Sequence, residues 1–246
     1  MSKLLKDFTE TMELVGRKHG LSQVFNDLLT AGICSFHTTN IKSQLQEKDE
    51  ANEELYLETI KKYSKEELAK LAELLGILQL NVLENPYSDI LGEYFTIHIT
   101  KGQNGQFFTP DPISEFMASI LAVDEEEGLW VSDPACGSGR MSLNAAKKNP
   151  RNFFFAADND LCCARMACVN FFLNGLKGEV SCMNSLSLEW YQAWHINLDG
   201  IGIKPIEKEQ SLFWQKQSES TLKEHSENKQ NSQLSLFKKG LPNDLY

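Results

Sequence analysis

One stretch limits what this chain can fold into: Trp130-Val131-Ser132-Asp133-Pro134-Ala135-Cys136-Gly137-Ser138-Gly139. Two apolar residues lead into an acid, a proline, and then small residues with two glycines. Arg140 to Lys148 follows with helical spacing of Met141, Leu143, Ala145 and Ala146. A strand that stops, a glycine turn and a helix start together make a ligand cradle. Glycine lets the backbone approach a ligand at angles other residues avoid, and the helix start offers N–H donors.

What flanks the cradle extends the pattern. Arg151 to Asp158 reads as a second strand, apolar on both faces and ending in an acid. A continuous apolar strand between two helical patterns suits a parallel sheet covered on both sides. Asp158 lies 19 residues beyond Gly139, the spacing at which a doubly wound fold sets a carboxylate near a ribose hydroxyl pair. The spacing predicts a helix over Leu161 to Leu173, a turn at Asn174-Gly175, and a weaker third strand over Glu179 to Met183 ending at Asn184. Upstream, Gly105-Gln106-Phe107-Phe108-Thr109-Pro110 forms a glycine-containing loop before a helix that starts at Asp111-Pro112.

The ligand is narrowed by what is missing. A dinucleotide site wants G-x-G-x-x-G, but the third position is Ser142, and no Walker lysine follows. A short G-x-G with an acid one strand later fits a nucleoside without a pyrophosphate, and S-adenosylmethionine is the candidate.

The order Gln106 to Pro110, then Asp133 to Gly139, resembles the N6-adenine DNA methyltransferases of type I restriction-modification systems, from about Asp89 to Leu186. The resemblance implies an α/β fold: a Rossmann-like, S-adenosylmethionine-dependent methyltransferase core with an N-terminal helical region. It also implies roles. Gln106, Phe107, Phe108, Thr109 and Pro110 would hold the methionine end of the cofactor. Asp133, Ala135, Gly137 and Gly139 would form the cradle, Asp158 would take the ribose hydroxyls, and Asn184 would lie beside the adenine. DNA would be the substrate, with a specificity or catalytic subunit as partner. The family's N-P-P-F or N-P-P-Y loop should follow some twenty residues after Asn184, and His195 to Pro205 stands there instead. Its amide would hold the target amine while an aromatic stacks on the flipped base. Asn85-Pro86-Tyr87 lacks one proline of that pattern. Catalytic residues are thus not assigned, and cofactor binding is better founded than catalysis.

Residues 1 to about 83 read as helices, with Leu5, Phe8, Met12 and Val15 at helical spacing and an S-x-x-E capping box at Ser64 to Glu67. The expected organisation is a helical region over 1–88, a cofactor-binding domain over 89–212, and a polar tail over 213–246. No apolar run reaches the ~18 residues of a membrane span. The N-terminus carries acids where a signal peptide needs an apolar core, so a cytoplasmic protein is expected. The six cysteines show no paired C-x-x-C spacing, which predicts reduced thiols and no metal site.

Net charge is −10, against the basic footprint usual for a duplex-DNA binder. Residues 204–246 hold seven lysines and six acids, so the rest carries −11. Within this tail, Gln233-Leu234-Ser235-Leu236-Phe237 resembles the motif by which bacterial replication proteins bind the DNA sliding clamp. A chance apolar cluster or a short helix docked on the body is the plainer reading. A clamp peptide would supply DNA proximity through effective concentration, which the acidic body cannot supply through phosphate contacts. Three functions stay open: adenine methylation in DNA, a non-catalytic cofactor-fold protein that recruits or blocks at the clamp, and methylation of RNA or protein.

Overall fold

The computed structural model describes residues 2–38, 49–100, 109–120, 128–198 and 200–215. Residues 1–206 form one compact unit and 207–246 a second. The first unit opens with helices α1 (Lys3–His19), α2 (Leu21–Ser35), α3 (Glu50–Ile60) and α4 (Lys65–Glu84). The capping box ahead of α4 forms as its spacing predicts: Ser64 Oγ accepts from Glu67 N, and the Glu67 carboxylate accepts from Ser64 N at 2.7 Å. The short α5 (Ile90–Tyr94) runs on as a π-helical segment, Phe95–Thr100.

Alternation of strand and helix then builds the sheet. β1 (Trp130–Asp133), α7 (Arg140–Lys148), β2 (Phe153–Asp158), α8 (Leu161–Leu173) and β3 (Lys177–Asn184) follow α6 (Asp111–Ile120). β1, β2 and β3 pair in parallel, Asp133 opposite Ala156 and Asp158 opposite Cys182. Both crossovers step the same way across the sheet, so their right-handedness sets α7 and α8 on one face. There Phe154 meets Phe171 edge-on at 6.2 Å.

The sheet is mixed, and here the structure goes beyond the sequence reading. After Asn184 the chain turns straight back into β4 (Glu189–Ile196), antiparallel to β3, and again into β5 (Ile203–Ile206), antiparallel to β4. The strand order is β1-β2-β3-β4-β5. β3 is also longer than its sequence pattern predicts. One hydrophobic core runs from Leu5, Phe8 and Met12 of α1 through Phe25, Leu74 and Tyr94 to Phe154, Phe171 and Ile203. Helical region and sheet share it.

The second unit is described over 207–215. Lys208–Gln210 form a 3-10 turn, and the Lys208 ammonium sits 3.7 Å from the Trp214 ring centroid. The pentapeptide Gln233–Phe237 lies outside the described residues.

Candidate cofactor site

Parallel pairing brings Asp133, Asp158 and Asn184 to the carboxyl ends of three neighbouring strands, where open α/β sheets hold their ligands. The glycine turn leaves β1 at this end. Gly137 and Gly139 have φ of +55° and +84°, the left-handed region that favours glycine. A Cβ on Gly139 would also lie 2.9 Å from Phe171 Cε1, so α7 and α8 approach closely only with glycine there. Gly139 N-caps α7 without a side-chain hydrogen bond, and Pro134 and Ala135 are exposed.

Asp158 is tied into the turn. Its Oδ2 accepts from Gly137 N at 2.8 Å and its Oδ1 from Asp160 N at 2.9 Å. Each carboxylate oxygen keeps a lone pair for a further donor. Asp133 Oδ1 accepts from Ala135 N at 3.2 Å. Burial raises the Asp158 carboxyl above its ordinary range despite these backbone donors. Burial raises Asp133 too, and the Asp158 charge beside it adds to that. Two desolvated acids at the mouth of a cradle favour a ligand that brings hydroxyl donors or a positive centre.

Asn184 uses its side chain locally. Oδ1 accepts from Leu186 N and Ser187 N at 3.0 and 3.1 Å, shaping the β3–β4 turn. Ser185 Oγ donates to Pro134 O at 2.7 Å, tying that turn to the one after β1.

The residues that build the cradle include several the sequence reading missed. Asp89 N-caps α5 and is buried. Its Oδ1 accepts from Gly92 N at 2.8 Å and Asn170 Nδ2 at 2.9 Å. Its Oδ2 accepts from Ser138 Oγ at 2.5 Å and Arg140 Nε at 3.0 Å. Asn170 Nδ2 also donates to Ser138 O at 2.9 Å. The residue between the two glycines is thus held by hydroxyl and carbonyl alike. A Cβ on Gly92 would fall 2.1 Å from Asp89 Oδ2, so the carboxylate needs glycine there. Arg140 carries the link onward, its guanidinium donating to Thr109 O at 3.1 Å. Pro110 O accepts from Ile113 N and Ser114 N, and Asn144 Nδ2 donates to Ser114 Oγ at 2.9 Å, fixing the start of α6 on α7. Thr109 and Pro110 therefore stand beside the glycine turn, while Gln106, Phe107 and Phe108 lie outside the described residues. An acid opening a short helix ahead of a glycine was the available signal for Asp89. Its partners lie 49 to 81 residues away and left no mark in the sequence.

Asn85-Pro86-Tyr87 has a structural setting. Tyr87 takes φ +65° and its N donates to Asn174 Oδ1 at 2.7 Å, fastening the end of α4 to the end of α8. His195 to Pro205, where the family's catalytic loop is expected, is the β4–β5 hairpin. Asn197 turns it with φ +54°, Oδ1 accepting from Gly202 N and Nδ2 donating to Leu176 O.

The six cysteines are free thiols. Burial pushes Cys34 up to about 11 and Cys162 up to about 12, so neither is a ready nucleophile. Among the described residues no group of three or more His, Cys, Asp or Glu could hold a metal ion, and no helix is long and apolar enough to cross a membrane.

Comparison with known proteins agrees with this arrangement. A methylase subunit of the type I restriction enzyme MjaIX from Methanocaldococcus jannaschii is 27% identical over 110 residues, 39% of this chain and 19% of that protein. The chain therefore matches about a fifth of the length of this curated relative. A crystal structure of a type I restriction-modification methyltransferase subunit from Streptococcus thermophilus aligns at TM-score 0.35 and 15% identity, over 70% of this chain and 56% of that one. The family model for N-6 DNA Methylase matches residues 80–235, which spans the helix ahead of α5, the glycine turn and the whole sheet. The chain belongs to the N-6 DNA methylase family.

Proposed function

We propose that this chain is the cofactor-binding half of a DNA adenine-N6 methylation system, with a Rossmann-like core that binds S-adenosylmethionine at the carboxyl ends of β1, β2 and β3. The observation that carries the reading is the bond from Gly137 N to Asp158 Oδ2, which sets the glycine turn and the acid of the next strand on one ligand. Asp158 offers its remaining lone pairs to the ribose hydroxyls. Gly137 and Gly139 bring backbone close to the methionine end, beside Thr109 and Pro110. Asp133 and Ala135 line the turn, and Asn184 borders the adenine. Gln106, Phe107 and Phe108 complete the set by the same family pattern. When bound, the cofactor supplies an electrophilic methyl group on a sulfonium. The neighbouring carboxylates of Asp133 and Asp158 favour that positive charge.

Calorimetry with S-adenosylmethionine tests this directly. Saturable binding is expected, weakened about tenfold or more, or ~1.4 kcal/mol, by Asp158→Ala. Absence of binding to the folded full-length protein would sink the reading.

A second reading draws on the hairpin at His195 to Pro205: a protein that keeps the cofactor fold and acts by binding. Transfer of labelled methyl groups to adenine in duplex DNA separates the two. Cofactor binding without labelling, by the chain alone or with a methylase partner, favours the second. In both readings Gln233-Leu234-Ser235-Leu236-Phe237 tethers the chain to the bacterial sliding clamp, the glutamine amide anchoring and leucine and phenylalanine filling an apolar pocket. The tether fails as an idea if binding to a purified clamp survives the double change Gln233→Ala, Phe237→Ala.

A further inference from the structure

The helices beside the sheet follow one another in space: α8 packs on β2, β3 and β4, α7 on β1, and α6 on α7. α8 touches α7, whereas α6 has α7 as its main partner among the described elements, on the flank away from α8. The sheet, by contrast, stops at β1, its terminal strand among the described residues. α6 thus continues the helical layer past the last strand.

Its sequence fits something lying against it there. Ser114 and Ala118 are buried toward α7, while Ile113, Phe116, Met117 and Ile120 are 52%, 66%, 39% and 65% exposed. Their spacing of three, one and three puts all four within an arc of about 100°. A parallel sheet normally has neighbours on both sides and helices above them. A doubly wound sheet forms its ligand crevice where the strand order reverses, and β1 to β3 step in one direction only. The reversal would come from a strand on the other side of β1.

We propose that the Val131–Asp133 edge of β1 and the apolar face of α6 receive an apolar β-strand from a second, basic protein chain, running parallel to β1. This rests on the cofactor site proposed above, because the loop after such a strand emerges beside Asp133 and the glycine turn. Edge backbone supplies the affinity, as in strand addition elsewhere, and the α6 face takes the side chains of one side of the strand. Charge selects the occupant. The chain carries −10, and the charged residues of α6 itself, Asp111 and Glu115, are both acids. A second copy would meet like charge, whereas a lysine- or arginine-flanked strand is complementary.

The test uses the full-length protein and a fluorescent probe peptide: a valine–threonine strand flanked by lysines and ending in Asn-Pro-Pro-Tyr. Saturable binding is expected, with slowed amide exchange at Val131 to Asp133. Phe116→Lys and Ile120→Lys should each weaken it by about tenfold or more, at unchanged melting temperature. No saturable binding, or equal binding by both variants, overturns the proposal. So does a wild-type dimer in sedimentation that Phe116→Lys dissociates, since a second copy would then own the face. Calorimetry with S-adenosylmethionine on the same samples keeps the two ideas apart. Intact cofactor binding with no peptide binding rejects the strand site alone, and the reverse rejects the cofactor site alone.

Discussion

The two ends of the sheet solve different problems. From β1 to β3 the strands are parallel, and the turns leaving β1 and β2 open into the glycine cradle and the Asp158–Asp160 turn ahead of α8. From β3 to β5 the strands are antiparallel, and the turns close on themselves through the side chains of Asn184 and Asn197. In the first half polar groups are held so that capacity is left over for a ligand. In the second they serve the chain. The difference explains why a family methylase domain can present a cofactor site while its later segment reads as structure.

The largest expected effect falls where the parallel half is anchored. Asp89→Ala removes one carboxylate from four donors and leaves Arg140 without its buried partner, which should cost about 3–5 kcal/mol in denaturant unfolding. Cofactor affinity should fall with it. Unchanged affinity in the folded variant would show that the turn keeps its shape unaided.

Asn197→Ala probes the other half. It deletes two hydrogen bonds and places alanine at φ +54°, for an expected loss of about 1–2 kcal/mol. Cofactor affinity should not move, and a matching drop would erase the contrast between the halves.

The smallest effect depends on pH. Burial holds the Asp133 carboxyl above its ordinary range, so folding favours its protonated form. That contribution is fully present below the unfolded pKa and is lost as pH rises through the higher folded value. Asp133→Asn keeps an oxygen to accept from Ala135 N and cannot ionise. It should equal or exceed the wild type at neutral pH, by less than the ~1.4 kcal/mol of one pKa unit. The gap should close on acidification. Melting curves across the acidic range measure it, and a variant less stable at every pH contradicts the assignment.

The sequence made the parallel half readable and hid the rest, for physical reasons. Arg140–Lys148 and Leu161–Leu173 carry helical periodicity behind a glycine or aspartate start, and both appear with the expected bounds. β2 shows as an unbroken apolar run. β4 reads Glu-Trp-Tyr-Gln-Ala-Trp-His-Ile, with aromatics on both faces and no clean alternation, and β5 contains Pro205, which argues against a strand except at an edge. β5 is the edge. In the site, the glycines and Asp158 announce themselves by spacing, since backbone geometry demands them locally. Asp89, Ser138, Arg140 and Asn170 meet only in three dimensions, and no local rule joins them.

Asp89 also has a consequence for communication across the molecule. One carboxylate binds the amide of Gly92 in α5, the hydroxyl inside the glycine turn and, through Arg140, the carbonyl of Thr109. Linkage is reciprocal. If a ligand in the turn tightens this junction, it steadies α5 by the same free energy. Whatever grips the N-terminal helices then tunes the ligand's residence by that factor, with no contact between the two.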